Sequence, residues 1–493
     1  MKTHTGRENP NITNEGFLRG LKLMDAMTLV IGTVIGSGIF IVSADIARIV
    51  HSPGVLLIVW LIAGIMSMAG ALSYAELAAA MPKAGGQYVF LSAAFGKLPA
   101  FLYGWTFFLV MSSGIIAAVA VAFSKFLGIL LPEISATRML FAAGPVHIST
   151  QQFVAMTVIG VLTYVNCRGV KQGALIQNIF TFLKVFAIFA LVIAGFAIGR
   201  NPDAISLNFA NMFSTAPKGF GLVTSIGAAM VGSLFAMDAW AYVCSTAVEV
   251  ENPRRNIPRA LLYGTGFVAL LYIVVNIAYM HVLPLMGNPD SADLFSRGIA
   301  YASEDRVATA IAQSMLGSAG LYVIAVAIMI STFGCVNGNI LMNARLFYAM
   351  ARDGLFFKSV GRVSTKTHVP TMALITSGIW SASLTLTGSY SQLLDYVIFA
   401  TLIFYGMTII ALFVLRKKMP DMKRPYRAWG YPWLQILYIA LASLIAVDLL
   451  VYKPAYTWPG LIIVISGVPV YYIWRLLSKG PVAELMPELE DAE

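Results

Sequence analysis

Runs of about 20 apolar residues recur along the whole 493-residue chain, and each is long enough to cross roughly 30 Å of hydrocarbon as a helix. We place such runs at 24–48, 54–80, 98–131, 150–167, 173–199, 222–248, 260–283, 308–348, 371–388, 392–415, 431–451 and 457–477. The third and eighth exceed what a perpendicular crossing needs, so they are expected to tilt or to extend beyond the bilayer. Prolines near the boundaries, among them Pro82, Pro132, Pro202, Pro284 and Pro370, mark where helices stop or turn. Buried helices of a soluble core would account for one such run but not for a dozen. With 58% of residues hydrophobic and 11% charged, the chain has too little polar surface for a large soluble enzyme, whose charged share is about 25%. Strand-length alternation of the outer-membrane barrel type is absent, which leaves helices to satisfy the backbone within lipid. The fold class expected is an all-α polytopic membrane protein with twelve transmembrane helices.

The net charge of +10 has a topological explanation that needs no nucleic acid. With twelve spans both termini fall on one side. Roughly three-quarters of the Lys and Arg residues then share that side, which the positive-inside rule makes cytoplasmic. The location expected is the inner (plasma) membrane. The first 22 residues are polar and carry no short cleavable signal pattern, so the first run is expected to remain as a span. The outer connections at 132–149, 200–221 and 284–307, the cytoplasmic stretch 349–370 and the acidic tail 484–493 are too short for a catalytic domain, which places function among the helices. Cys167, Cys244 and Cys335 all lie in or beside apolar runs and suggest neither a disulfide scaffold nor a metal site, and no cofactor is expected.

Two spans carry features that a simple membrane helix would avoid. The first contains Gly32-Thr33-Val34-Ile35-Gly36-Ser37-Gly38-Ile39-Phe40, whose concentration of small residues weakens the helix at mid-membrane. Unwinding there frees N–H groups for a carboxylate and C=O groups for an ammonium or a cation, a recurring device of transporters. The sixth contains Gly232-Ser233-Leu234-Phe235-Ala236-Met237-Asp238-Ala239-Trp240. Its buried acid, Asp238, is either a cap for the second half of an interrupted helix or a contact for solute. Phe235 and Trp240 pack there or cover a pocket. The two spans are equivalent if spans one to five repeat as six to ten, the spacing of an inverted repeat around one central site.

Lys184 lies too deep in the fifth span for its ammonium to reach water along its stem. It either ties the fifth span to carbonyls released by the broken first span, or titrates and couples transport to protons, or makes a local contact. Glu76 is expected to help close the inner side by hydrogen bonding. Glu249, Glu251, Arg254 and Arg255 form a charged exit from the sixth span, either a solvated helix end or an inner latch. Asn337 and Asn339 make the eighth span an unusually polar wall, and Ser331 and Thr332 are better placed than either to meet the midplane.

These segments together resemble the L-type amino acid transporter family of the amino acid–polyamine–organocation superfamily, especially its bacterial members. The resemblance rests on GTVIGSGIF at 32–40, SPG at 52–54, GALSYAELAAAMPKAGGQYVF at 70–90, Lys184, FAMDAW at 235–240, ENPRRNIPRA at 251–260 and STFGCVNGNILMNARLFYAMARDG at 331–354. It implies a five-plus-five inverted repeat of the LeuT-like kind: a cytoplasmic segment 1–22, a first repeat over 23–199, a second over 200–425, two further helices over 426–479 and a tail over 480–493. It further implies that the N–H groups of Ser37, Gly38 and Ile39 hold a substrate's α-carboxylate. The carbonyls of Ile35 and Phe235 would receive the α-amino group, with Ala236 and Asp238 beside them. Phe235 would close over substrate from outside, and Lys184 would replace the alkali cation of sodium-coupled relatives.

The sequence departs from that pattern where Ala239-Trp240 stands for the family's usual Gly-Trp, and Met237 and Asp238 leave room for cationic substrates. No cysteine occurs at 132–149, so no disulfide-linked heavy chain is expected. The function expected is sodium-independent exchange of neutral L-amino acids by alternating access. The alternative is proton-coupled symport, extending to cationic amino acids or polyamines. An intramembrane enzyme would need a convergent nucleophile–base or metal set, and His4, His51, His147, His281 and His368 sit at tails and boundaries and supply none.

Overall fold

Low polarity and recurrent apolar runs produce a bundle of long helices. The structure, a computed structural model, describes residues 12–143, 146–386, 390–452 and 454–477. The tail 480–493 and residues 1–11 lie outside the described residues. Among those described, ten helices are long and apolar enough to cross a membrane. The runs at 150–167 and 371–388 are also helical, over Thr150–Cys167 and Thr371–Leu384. The end of the second of these, from 387, is outside the described residues.

One boundary is corrected. The eighth run, expected as a single long helix over 308–348, divides at Gly317, whose φ of 59° ends Val307–Leu316 before the 35-residue helix Ser318–Arg352 begins. Left-handed backbone costs glycine nothing, so the chain turns there. The helix after the turn still has 35 residues, more than a perpendicular crossing needs. The third span, Lys97–Leu130, holds one π turn over Phe107–Met111. Between the third span and helix Thr150–Cys167, Met139–Ala143 pairs antiparallel with Val146–Ser149.

The packing sets the first span in the middle of the molecule. Its helix Leu23–Val34 lies against the seventh span (Pro253–Val282), the fifth (Val170–Ala197) and the eighth. The second span (Pro53–Ala80) packs along the seventh, the third along the eighth, and helix Thr150–Cys167, expected as the fourth span, along helix Thr371–Leu384, expected as the ninth. Large apolar side chains such as Phe186, Ile193, Phe220 and Leu270 are exposed, while Glu76, Lys184, Asp238, Glu249 and Arg345 are buried.

Candidate functional site

The first span ceases to be helical at Ile35. Helix Leu23–Val34 ends with Ile35 at ψ 88°, the Gly36 N–H turns back onto the Val34 carbonyl at 2.9 Å, and a new helix starts at Gly38. Val42 keeps right-handed helical angles and joins Gly38–Ile41 to Ser43–Val50. The sixth span breaks over Met237–Ala239. Helix Phe220–Ala236 ends with the Met237 N–H on the Ser233 carbonyl and the Asp238 N–H on the Phe235 carbonyl, both at 3.1 Å. Ala239 takes the left-handed φ of 72°, and the chain continues as a ten-residue 3-10 helix, Trp240–Glu249. Runs of that kind beyond three or four residues are uncommon and mark hinges. The two breaks touch, because a β-carbon on Gly38 would stand 2.7 Å from the Ala236 β-carbon and 2.8 Å from its α-carbon.

Lys184, 1% exposed, reaches into the first break. Its Nζ donates to the carbonyls of Gly32 (2.8 Å), Ile35 (2.8 Å) and Ser331 (2.6 Å), which uses all three donors of an ammonium. The single Ser331 Oγ–H is shared between the carbonyls of Ile35 (3.1 Å) and Gly36 (2.9 Å). The loosened turn is therefore pinned by side chains from the fifth and eighth spans. Tyr272 of the seventh adds a hydrogen bond to the Val34 carbonyl at 3.2 Å. The Ile35 carbonyl, expected to receive a substrate's α-amino group, accepts from Lys184 Nζ and lies within reach of the Ser331 hydroxyl.

Asp238 is buried on the other break. Tyr405 Oη donates to Oδ1 at 2.7 Å and Tyr242 Oη to Oδ2 at 3.3 Å. The carboxylate lines a small cavity whose other walls include Ser67, Met237, Trp240, Thr401 and Tyr438. Trp240 closes one side, packed edge-on against Tyr74 at 5.1 Å and tilted against Tyr405 at 5.0 Å between ring centroids. Phe235 and Ala236 are buried at the end of the preceding helix.

Beyond the sixth-span break, two ion pairs seal one end of the bundle. Arg345 grips Glu249 with Nε at 2.8 Å and Nη2 at 2.9 Å, and both side chains are almost wholly buried, at 1% and 0% exposed. The Glu249 carbonyl takes the N–H groups of Gly20 and Leu21, each at 3.0 Å, so the segment before the first span is tied in as well. Glu76 receives Arg416 Nε (2.9 Å) and Nη2 (2.6 Å) and the Ala428 N–H (2.6 Å), with Arg424 Nε at 3.4 Å.

Several expectations are redistributed. Arg254 and Arg255 are exposed, and the partner that Glu249 finds is Arg345, because the side chain of Glu249 points into the bundle rather than out along the helix end. Thr332 bonds to the Ile328 and Met329 carbonyls of its own helix and does not reach the break. Asn337 joins the eighth span to the fourth and fifth through Asn166, Gly173 and Gln177, and Asn339 bonds to the Cys335 carbonyl. The sequence reading missed Tyr242, Tyr405, Arg345 and Arg416. Arg345 had a signal, a cation close to an apolar run like Lys184, whereas nothing separates Arg416 from the neighbouring Lys417 and Lys418.

Comparison with known proteins decides the family. The model of the amino acid permease family matches residues 21–471. The chain belongs to the amino acid permease family. This permease is 30% identical to the b(0,+)-type amino acid transporter 1 of Mus musculus over 467 residues, covering 93% of the chain and 88% of that protein. It is 29% identical to the cystine/glutamate transporter of Homo sapiens over 482 residues, 96% of the chain and 89% of the relative. Against the large neutral amino acids transporter small subunit 2 of Mus musculus it is 30% identical over 453 residues, 92% and 80% of the two chains. The expected assignment to a bacterial branch of the L-type family is overturned, since the relatives matched are mammalian. The motifs that suggested it serve the breaks and close packing that the permease fold requires, and so do not mark a source. The permease is an amino acid transporter of the amino acid–polyamine–organocation superfamily and not an enzyme.

Proposed function

We propose that this permease exchanges L-amino acids across the plasma (inner) membrane without sodium, by alternating access to one site between the first and sixth breaks. The observation that carries the reading is the Lys184 ammonium, held on the Gly32, Ile35 and Ser331 carbonyls at 2.6–2.8 Å. A fixed positive charge that holds the broken backbone does the work for which sodium-coupled relatives use a bound cation.

The substrate's α-carboxylate is placed at the N–H groups of Ser37, Gly38 and Ile39, where a helix begins and its dipole favours negative charge. The α-ammonium is placed at the sixth break, among the carbonyls around Phe235 and Ala236 and beside Asp238. Ile35 serves by anchoring Lys184 and Ser331. Phe235 acts as the outer gate, Trp240 as the wall of the side-chain cavity, and the Glu249–Arg345 and Glu76–Arg416 pairs as the cytoplasmic closure, with Ser331 holding the break and Thr332 stiffening the eighth span beside it.

Twelve spans in a five-plus-five repeat, over 23–199 and 200–425 with two helices beyond, fit the contacts of the second span with the seventh, the third with the eighth and the fourth with the ninth. The bias of Lys and Arg supports cytoplasmic termini. No cysteine at 132–149 supports a carrier without a disulfide-linked heavy chain.

A second reading concerns the side chain of the substrate. A carboxylate on the wall of an otherwise largely apolar cavity favours an aliphatic side chain that ends in a cation, alongside neutral ones.

The test is counterflow in sodium-free proteoliposomes with neutral, cationic and acidic amino acids and polyamines. Exchange predicts labelled uptake that needs an internal amino acid. Uptake equally fast into empty vesicles sinks exchange, and substrate-driven acidification of the lumen supports proton symport instead.

A further inference from the structure

Ahead of the first span, Thr13-Asn14-Glu15-Gly16 makes a tight turn. The Gly16 N–H bonds to the Thr13 carbonyl at 2.8 Å, the Phe17 N–H to Thr13 Oγ1 at 3.0 Å and the Thr13 N–H to the Phe17 carbonyl at 2.8 Å. Gly16 closes the turn in left-handed backbone at φ 87°. The turn presents Phe17, which is 0% exposed although its neighbours Asn14, Glu15 and Arg19 are exposed. Phe17 packs edge-on against Tyr348, with ring centroids 4.9 Å apart, in a small cluster with Ala84 and Val248 and with Val363 at its edge. The cluster is separate from the main core, and nothing in the exchange mechanism above uses it.

The pocket that takes Phe17 is assembled across a joint. Val248 lies at the end of the 3-10 half of the sixth span, Tyr348 in the eighth, and Val363 in the connection beyond the eighth. Hydrogen bonds fix the segment to the same parts. The Glu249 carbonyl takes the Gly20 and Leu21 N–H groups, the Glu251 N–H returns to the Leu21 carbonyl at 2.8 Å, and His368 Nδ1 donates to the Gly16 carbonyl at 2.9 Å. The Glu249–Arg345 pair crosses this joint too. A path from the breaks to this end of the bundle opens by parting the sixth span from the eighth, so it cannot form while residues 12–22 hold both. The segment also runs directly into Leu23–Val34, the half-helix that the break at Ile35 separates from the rest of the first span. Tilting of that half-helix pulls on the segment.

We propose that residues 12–22 are a strap that holds the cytoplasmic mouth shut, with Phe17 as its plug, and that the carrier opens inward only when Phe17 leaves the pocket formed by Tyr348, Val248 and Ala84. The strap and the ion pair release together, because the Glu249 carbonyl holds Gly20 and Leu21 while its carboxylate holds Arg345. The proposal rests on the transport reading and on the orientation proposed with it.

The test uses full-length carrier in proteoliposomes of determined orientation, with leucine and lysine as substrates. A β-carbon on Gly16 would stand 3.7 Å from the Val363 β-carbon, within the roughly 3.5–4.5 Å that a disulfide spans. The double variant Gly16→Cys with Val363→Cys, oxidised with copper phenanthroline, is expected to exchange at least about tenfold more slowly than when reduced, and to recover when the disulfide is reduced. Each single variant is the reference for strain at Gly16 and for the native thiols. A carrier shown by mass spectrometry to be cross-linked, yet exchanging at its reduced rate, overturns the strap.

Phe17→Ala tests the plug without a cross-link. Emptying the pocket favours the inward-open state, so the ratio of cytoplasmic-face to outer-face KM is expected to fall about tenfold, and Phe17→Leu to restore most of it. A carrier that is merely less stable loses flux at both faces and keeps the ratio. An unchanged ratio in Phe17→Ala overturns the plug and leaves the exchange reading standing, whereas a wild type that carries neither substrate refutes the exchange reading instead.

Discussion

Gly38 of the first break lies directly against Ala236 of the sixth, at a separation that leaves no room for a β-carbon on the glycine. The two interrupted helices thus meet through backbone, and whatever moves one bears on the other. Gly38→Ala must push the Ala236 backbone aside. Overpacking of this kind costs about 1–3 kcal/mol, and we expect a lower melting temperature together with slower amino acid exchange in proteoliposomes. A variant that melts and exchanges like the wild type would show that the contact is not needed.

Removing the Lys184 side chain leaves the Gly32, Ile35 and Ser331 carbonyls without their shared donor. A buried acceptor so exposed costs about 1–3 kcal/mol. Lys184→Ala is expected to lose transport while the protein is still expressed and inserted, read by counterflow alongside quantified carrier. Unchanged flux would reject the central place given to this lysine. Wild-type flux is expected to stay the same when sodium is replaced by choline.

Ala239 occupies the left-handed region at φ 72°, where a side chain is disfavoured by about 1–2 kcal/mol. Ala239→Gly is expected to stabilise the carrier by about 1 kcal/mol, measured as a rise in thermal unfolding temperature. Lower stability would mean that the alanine methyl contributes more by packing than its backbone costs.

The Glu249–Arg345 pair is buried, so breaking it from one side strands a charge. Arg345→Leu is expected to cost about 3–5 kcal/mol, and the double variant Glu249→Gln with Arg345→Leu to recover part of that loss. A double-mutant cycle on thermal unfolding checks this, and additive effects of the two substitutions would contradict a coupled pair.

Much of this was legible from residues. The apolar runs gave the helices, because membrane crossing demands length and polarity that are local to each segment. The breaks were legible at Ile35-Gly36-Ser37-Gly38 and at Asp238, since small residues and a buried acid are costly in a continuous membrane helix. The placement of Lys184 on the first break was one of the alternatives its depth allowed. What the sequence could not show depends on how distant spans meet: Tyr405 reaching Asp238 across 167 positions, and Arg345 choosing Glu249 over any nearer acid. The turn at Gly317 was legible in principle, but a glycine inside an apolar run reads equally as a packing residue.

The central claim is that an amino acid is held by backbone released where the first and sixth spans break. A structure of the carrier with a transported amino acid bound, at a resolution that places its two charged ends, tests this most directly. The account predicts the α-carboxylate within hydrogen-bonding distance of the Gly38 and Ile39 nitrogens and the α-ammonium at the Phe235–Asp238 break. An amino acid seated elsewhere, with Lys184 away from the Gly32 and Ile35 carbonyls, would contradict it.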